Sequence, residues 1–243
     1  MTTAQIVWCL LVFAAGAFVQ SVGGFGFTLF GVPLMALAIP LPQAVVAGSI
    51  ASFVNVVTLS LRTFKQVDWE VARRFNGPAL LGMPVGLLVL VVVDESILKV
   101  ALGAVIVALV VVLVRTRSAA QPRPLVETVA GLASGVLSTS TSTNGPPLVF
   151  AAQLRGMRPD AFRATLSFSF AFQGGISIIA FLASGEATRA AVLLALGALP
   201  LVGLGQWLGL RVQPRVHGKH FERVVYALLL LSALSVSWSG FFG

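Results

Sequence analysis

Apolar residues run along this chain in eight stretches, at about 4–38, 43–61, 71–93, 96–114, 125–154, 161–183, 187–210 and 222–242. A helix needs roughly 20 apolar residues to cross a bilayer, so most of these stretches predict one transmembrane helix each. Two do not fit a single crossing. The run 4–38 is too long and is interrupted at Gly23-Gly24-Phe25-Gly26. The run 125–154 passes through the hydroxyl tract Ser138-Thr139-Ser140-Thr141-Ser142-Thr143 and then Asn144-Gly145-Pro146-Pro147. Gly and Pro at such points break helices. The pattern predicts an all-α polytopic membrane protein in which each of these two segments is a pair of half-helices.

The two interruptions are related. Shifted by 119 positions, Gly135 falls on Gly16, Asn144 on Phe25 and Gly145 on Gly26. At a shift of 117, Pro159-Asp160-Ala161-Phe162 falls on Pro42-Gln43-Ala44-Val45, and Ser169-Phe170 on Ser52-Phe53. Gly82-x3-Gly86 has a counterpart in Gly205-x3-Gly209, a spacing that lets helix backbones approach closely. One transporter domain over 1–243 is therefore expected. It would hold two four-segment repeats, about 4–114 and 125–242, joined by the linker around Gln121-Pro122-Arg123-Pro124.

Charge decides how the segments thread the bilayer. The chain is 57% hydrophobic and 10% charged, and its net charge is +8. In a soluble protein that excess would suggest nucleic acid. In a chain with a mean hydropathy of +0.97 it is explained by Lys and Arg enrichment in cytoplasmic loops. The basic loops are 62–74, 115–123, 155–163 and 211–223, and they hold 14 of the 16 Lys and Arg. If every segment crossed once, these loops would split between the two faces. If 125–154 instead enters and returns on one face, all four share a side, leaving Lys99 and Arg189 opposite. Carried to 4–38 through the repeat, this gives three crossings and one re-entrant hairpin per half, and two short full crossings per broken segment would give the same parity. Three is odd, so the halves are inverted and the two hairpins meet near the midplane.

A helix that begins in mid-membrane presents free N–H groups and the positive end of its dipole, which suits an anion. The expected starts are Gly26, opening Phe27 onward, and Asn144, a favoured cap residue, ahead of Gly145-Pro146-Pro147. The candidate substrate-binding residues are Gln20, Gly24, Phe25, Gly26 and Phe27 at the first break. At the second they are Ser142, Thr143, Asn144, Gly145 and Pro146. Asn55 and Gln173 are placed opposite as neutral hydrogen-bond donors, with interhelical bonding as the competing role for each. Arg74 and Arg163 are expected at the cytoplasmic mouth.

Other chemistries find little support. No Asp or Glu lies in the middle of a segment, so a buried proton-relay carboxylate and a counter-charge for a cation are both missing. His217 and His220 on a basic loop make a poor metal site. Cys9 is the single cysteine and reads as apolar filler. No Gly-x4-Gly-Lys-Ser/Thr motif is present for ATP coupling. No catalytic group, cofactor or nucleic-acid partner is called for, and an enzyme is disfavoured. The start Met1-Thr2-Thr3 lacks the basic region of a cleaved signal peptide, so the first segment is expected to be retained.

With the Gly-rich first break, Asn144-Gly145-Pro146-Pro147 at the second and the two-fold repeat, essentially the whole chain resembles the sulfite exporter TauE/SafE family, also called the toluene sulfonate uptake permease family. The resemblance implies a bacterial inner-membrane secondary transporter. Its substrate would be a small sulfur oxyanion or sulfonate: sulfite, thiosulfate or a sulfonate such as sulfoacetate. The family often carries a Gly-rich run at its second break, and the Ser/Thr tract here departs from that. Besides the anion and the lipid bilayer, a coupling ion, proton or sodium, stays open. A homodimer stays open. A passive anion channel or a non-transporting membrane sensor is the alternative.

Overall fold

The computed structural model describes residues 1–115 and 123–213. The expected segment 222–242, His217 and His220 and the linker 116–122 lie outside the described residues. Among the described residues there are nine α-helices and no strand. They are α1 (Thr3–Gly23), α2 (Phe27–Met35), α3 (Leu41–Thr63), α4 (Trp69–Val92), α5 (Glu95–Arg115), α6 (Pro124–Ser140), α7 (Gly145–Leu154), α8 (Pro159–Ser184) and α9 (Arg189–Val212). Helices α1, α3, α4, α8 and α9 are long and apolar enough to cross a membrane. At nine and ten residues, α2 and α7 are about 14–15 Å long and cannot. The apolar run 4–38 thus holds α1 and α2, and 125–154 holds α6 and α7.

Local chemistry explains where these helices stop. Gly24 closes α1 with φ +82°, and its N–H bonds the Gln20 carbonyl. Gly26, with φ +111°, then turns the chain into α2. Both values lie in the region that favours glycine. The end of α6 has no glycine. Thr141 leaves helical geometry, Ser142 sits at φ +57°, and α7 restarts on Gly145-Pro146-Pro147, where proline loses no helical hydrogen bond.

The ends of the helices gather at two poles. At one, Gln5 Nε2 donates to the Ala38 carbonyl at 2.6 Å and Trp8 Nε1 to the Leu34 carbonyl at 2.8 Å. Leu41 N–H donates to Glu95 there at 3.0 Å. This pole therefore holds the start of α1, the chain leaving α2, the start of α3 and the α4–α5 junction. At the other, buried Glu127 in the first turn of α6 accepts from Arg74 of α4 at 2.9 Å and from Arg155, just after α7, at 2.8 Å. Arg74 also pairs with Glu70 at 2.7 Å, and Arg155 approaches Glu70 and Asp68 at 3.4 and 3.8 Å. Burial works against the charge of Arg155, but the Glu127 hydrogen bond and the three carboxylates outweigh it and raise its pKa above the ordinary value. Asp68 N–H donates to Thr165 near the start of α8 at 2.9 Å. Helix α3, 23 residues long, separates the poles by about 34 Å. So α1 with α2 starts and finishes at one pole, and α6 with α7 at the opposite pole.

Two backbone-to-backbone seams fix this arrangement. Helix α4 lies on α6 with Gly82 and Gly86 against the carbonyls of Leu132 and Val136, and with Gly131 and Gly135 against those of Phe75 and Ala79. Helix α9 lies on α1 with Gly205 against the Ala14 carbonyl and Gly209 against Phe18 and Ser21. A Cβ at any of these glycines would overlap the facing helix. Between the seams α3 packs on α8, where Phe53 covers Gly174 and Gly175. Outward faces carry exposed Leu61, Leu81, Val92, Leu125 and Ile179, a surface suited to hydrocarbon.

The seam makes a direct prediction. Gly135→Val must force α6 away from the Ala79 carbonyl and should cost about 3 kcal/mol or more, read as lost thermal stability in detergent. Gly77→Ala on exposed α4 surface, where a Cβ meets nothing within 4 Å, should change stability by less than about 1 kcal/mol. Equal stability of the two variants would refute the packing.

Candidate functional site

The first tip is organised by Gln20, buried near the end of α1. Its Oε1 accepts from the Phe27 N–H at 3.0 Å and its Nε2 donates to the Gly24 carbonyl at 3.3 Å. One amide thus satisfies an orphan donor of α2 and an orphan acceptor of α1. The first bond within α2 runs from Phe30 N–H to the Gly26 carbonyl at 2.9 Å. The amides of Thr28 and Leu29 therefore have no acceptor inside the helix, and both residues line a small cavity beside the tip.

At the second tip most of the hydroxyl tract serves its own helix end. Ser140 Oγ donates to the Val136 carbonyl at 2.8 Å and Thr141 Oγ1 to the Leu137 carbonyl at 3.3 Å. Thr139 donates to the Met83 carbonyl at 2.6 Å, and Thr141 and Thr143 share a hydrogen bond of 2.7 Å. Ser138 bonds Ser177 of α8 at 2.9 Å. Ser142 also reaches outside its own helix. From its left-handed backbone it meets Ser49 of α3 at 2.8 Å, so a hydroxyl of the second tip crosses to the first half of the chain. A non-glycine residue held there stores strain that surrounding structure must support.

Asn144 does not cap α7 as the sequence suggests. Its side chain makes no cap bond, and its Nδ2 donates to Gln173 Oε1 at 3.0 Å. Ser134 Oγ lies 2.8 Å from that same oxygen and from the Asn144 carbonyl, and its single proton serves one of the two at a time. Gln173 Nε2 donates to Asn76 Oδ1 at 3.3 Å, and Asn76 Nδ2 to Ser169 at 3.2 Å. A buried neutral network therefore runs from α4 through α8 and fixes the Asn144 side chain. Among the first residues of α7 only Gly145 carries an N–H, because Pro146 and Pro147 have none.

The cavity lies where the tips meet. Gln20, Gly26, Thr28 and Leu29 line it from the first tip, and Ser138, Ser142, Asn144 and Gly145 from the second. Ser49, Ser52 and Phe53 of α3 and Phe170 and Gly174 of α8 complete it. Its volume is about 30 Å³, room for water or a compact ion and far below the roughly 300–1,000 Å³ of pockets for larger ligands. No lining residue is charged.

Of the residues singled out from sequence, Gln20, Gly26, Ser142, Asn144 and Gly145 come together here. The others sit around it. Gly24 lies under the stem of Arg163, Phe25 packs beside Gly145 and touches two hydrophobic clusters, and Phe27 sets its ring near Phe13. Thr143 is bonded to Thr141, Pro146 is buried in the first turn of α7, and Gln173 stands behind Asn144. Asn55 is buried but outside the lining. Its side-chain atoms have no hydrogen-bond partner among the described residues, while its carbonyl accepts from Gln206 at 3.1 Å. Arg74, expected at the mouth, is engaged with Glu70 and Glu127. Sequence reasoning missed Thr28, Leu29, Ser49, Ser52, Phe53, Phe170 and Gly174, together with the supporting Ser134 and Asn76, and held Ser138 only as part of the hydroxyl tract. The repeat held one signal: the shift that superposes Ser169-Phe170 on Ser52-Phe53 pairs Phe53 with Phe170, and both line the cavity. Among the described residues no cluster of His, Cys, Asp or Glu could hold a metal.

Comparison with known proteins bears on this site. The chain is 29% identical over 233 residues to a protein of Cupriavidus necator named "Probable sulfite/organosulfonate exporter TauE", covering 89% of this chain and 87% of that protein. No solved structure matches. The pattern that defines the family described as sulfite exporter TauE/SafE matches residues 8–236, nearly the full length, so the chain belongs to that family.

Proposed function

We propose that this protein is a secondary carrier of small sulfur oxyanions or sulfonates in a bacterial inner membrane. It would work by alternating access at the cavity between the two helix tips. The two halves are inverted with respect to each other, and α1–α2 and α6–α7 are re-entrant hairpins from opposite faces, with the Arg-rich pole cytoplasmic. One observation carries the reading: starts of two short helices, entering from opposite poles, border a single uncharged cavity of amides and hydroxyls. Such a cavity offers donors to an oxyanion and no counter-charge to a cation. The family and the printed name of the Cupriavidus necator relative support sulfur anions as the class.

In the carrier cycle Gln20 holds the first tip together, leaving the Thr28 and Leu29 amides for the anion. The Gly145 amide, the Asn144 side chain and the Ser142 hydroxyl act from the second tip. Gln173 and Ser134 are positioning residues, since they orient Asn144 without lining the cavity. Phe53 and Phe170 bracket the site with apolar surface and limit water.

Proteoliposomes loaded with sulfite or methanesulfonate test this. A carrier saturates and shows counterflow, whereas a channel does neither and a sensor binds without flux. Dissipating the proton and sodium gradients separately identifies the coupling ion. Asn144→Leu removes a donor to a charged ligand, a loss of about 1.5–3 kcal/mol. Transport should fall about 10- to 100-fold with the protein still inserted in the membrane; wild-type flux in that variant would remove Asn144 from the site. Gln173→Leu should weaken transport in the same direction by freeing the Asn144 amide to turn away, and unchanged half-saturation and maximal rate would contradict the positioning role.

A further inference from the structure

We infer that Asn55 contacts the substrate: its carboxamide forms a second polar station, one helical turn from the cavity on the side of the Arg-rich pole, where the anion is held together with a water of its hydration shell. The inference rests on the carrier reading and adds a binding residue that does not line the cavity. Among the described residues four carboxamide side chains are buried, those of Gln20, Asn55, Asn76 and Gln173. Gln20, Asn76 and Gln173 each have both ends hydrogen-bonded. Asn55 is 1% exposed, yet neither its Oδ1 nor its Nδ2 has a partner among the described residues. Turning the amide over would change nothing, since both ends are unpaired. The neighbouring Gln206 spends its Nε2 on the Asn55 backbone carbonyl at 3.1 Å and not on the side chain. Burial in this form costs the desolvation of both polar ends, which an apolar residue of similar size would avoid. The unpaired side chain therefore points to a ligand and not to an interhelical bond.

The helices place this side chain beside the cavity. Helix α2 finishes at the pole from which α3 begins, so the two run in opposite directions. A Cβ at Gly48 of α3 would meet Thr28, Val32 and Met35, so Gly48 faces α2. Asn55 lies two turns farther along α3, on the same face and about 10 Å nearer the Arg-rich pole. Ser52, between them, lines the cavity, as does Thr28 in the first turn of α2. Asn55 thus stands just past the start of α2. Side chains tilt toward the start of their own helix, which turns Asn55 back toward Ser52 and the cavity. A carboxamide offers N–H donors at one end and an acceptor at the other. A bare anion uses only Nδ2. An anion arriving with water uses both ends, its oxygen taking the Nδ2 proton while the water donates to Oδ1. The cavity of about 30 Å³ has no room for an ion with its shell, so hydration is shed between Asn55 and Ser52.

The test uses the full-length protein with Asn55→Leu and Asn55→Ser, and measures two quantities for each. The first is thermal stability in detergent without substrate. The second is half-saturation for sulfite and methanesulfonate in proteoliposomes. Replacing an unpaired buried carboxamide by an apolar side chain of similar size should leave stability unchanged or raise it. The same Asn55→Leu variant should raise half-saturation about tenfold through loss of the donor, and Asn55→Ser, which keeps a hydroxyl, should fall between it and wild type. A residue with only a structural role gives the reverse pattern: lost stability or failed insertion of Asn55→Leu, or wild-type half-saturation, would overturn the inference while the carrier reading stands. A sodium dependence of wild-type flux that disappears in Asn55→Leu would make the residue a cation ligand and overturn it as well. If the wild-type protein moves neither anion, the carrier reading and this inference fall together.

Discussion

Backbone polar groups inside hydrocarbon must find partners within the protein, because no water is there to supply them. That constraint governs both interruptions. A helix that stops in mid-membrane exposes carbonyls, and one that starts there exposes N–H groups. Gln20 covers the Gly24 carbonyl at one tip, and the hydroxyls of Ser140 and Thr141 cover the Val136 and Leu137 carbonyls at the other. Thr28, Leu29 and Gly145, at the starts of the two short helices, line a shared cavity. The lining they share is uncharged, and the proposed anion chemistry rests on it.

The packing around these tips crosses the midpoint of the chain. Helix α4, from the first half, is joined to α6 through four glycines and through Glu127 with Arg74. Helix α9, from the second half, is joined to α1 through Gly205 and Gly209. Each tip is thus supported by a long helix of the other half, and the cavity between them is crossed by the Ser49–Ser142 hydrogen bond. Close backbone contact is stiff, whereas a single hydroxyl pair is easily exchanged for an anion. The contrast places the weakest contacts where a substrate would enter.

Much of this was legible in the residue pattern because its causes are local. Gly24, Gly26 and Pro146-Pro147 announce where helices stop and start, and apolar length announces which ones can span. The glycine pairs gave the close seams, though not their partners, since a Gly-x3-Gly face says nothing about which helix it meets. The hydroxyl tract illustrates the limit. Ser138 to Thr143 look equivalent in sequence, yet only Ser138 and Ser142 line the cavity: Ser140 and Thr141 turn back onto carbonyls one helical turn earlier, Thr139 bonds Met83 of α4 and Thr143 bonds Thr141. Glu127 lies near a segment end, where the sequence carries no signal of a buried carboxylate. Its burial depends on Arg74 and Arg155, which are remote in sequence and adjacent only after folding. Ser49 and Ser52 were hidden for the same reason, being ordinary small polar residues until α3 meets both tips.

Sidedness of the chain tests the account most directly. In a Cys9→Ala background, single cysteines replace Arg123 and Arg158 at one pole and Thr2 and Leu37 at the other, all of them exposed, and are labelled with a membrane-impermeant thiol reagent in oriented vesicles. Positions 123 and 158 should react from one face, and positions 2 and 37 from the opposite face. Reaction of 123 and 158 from different faces would mean that the second hairpin crosses the bilayer, and the shared anion cavity would be lost with it.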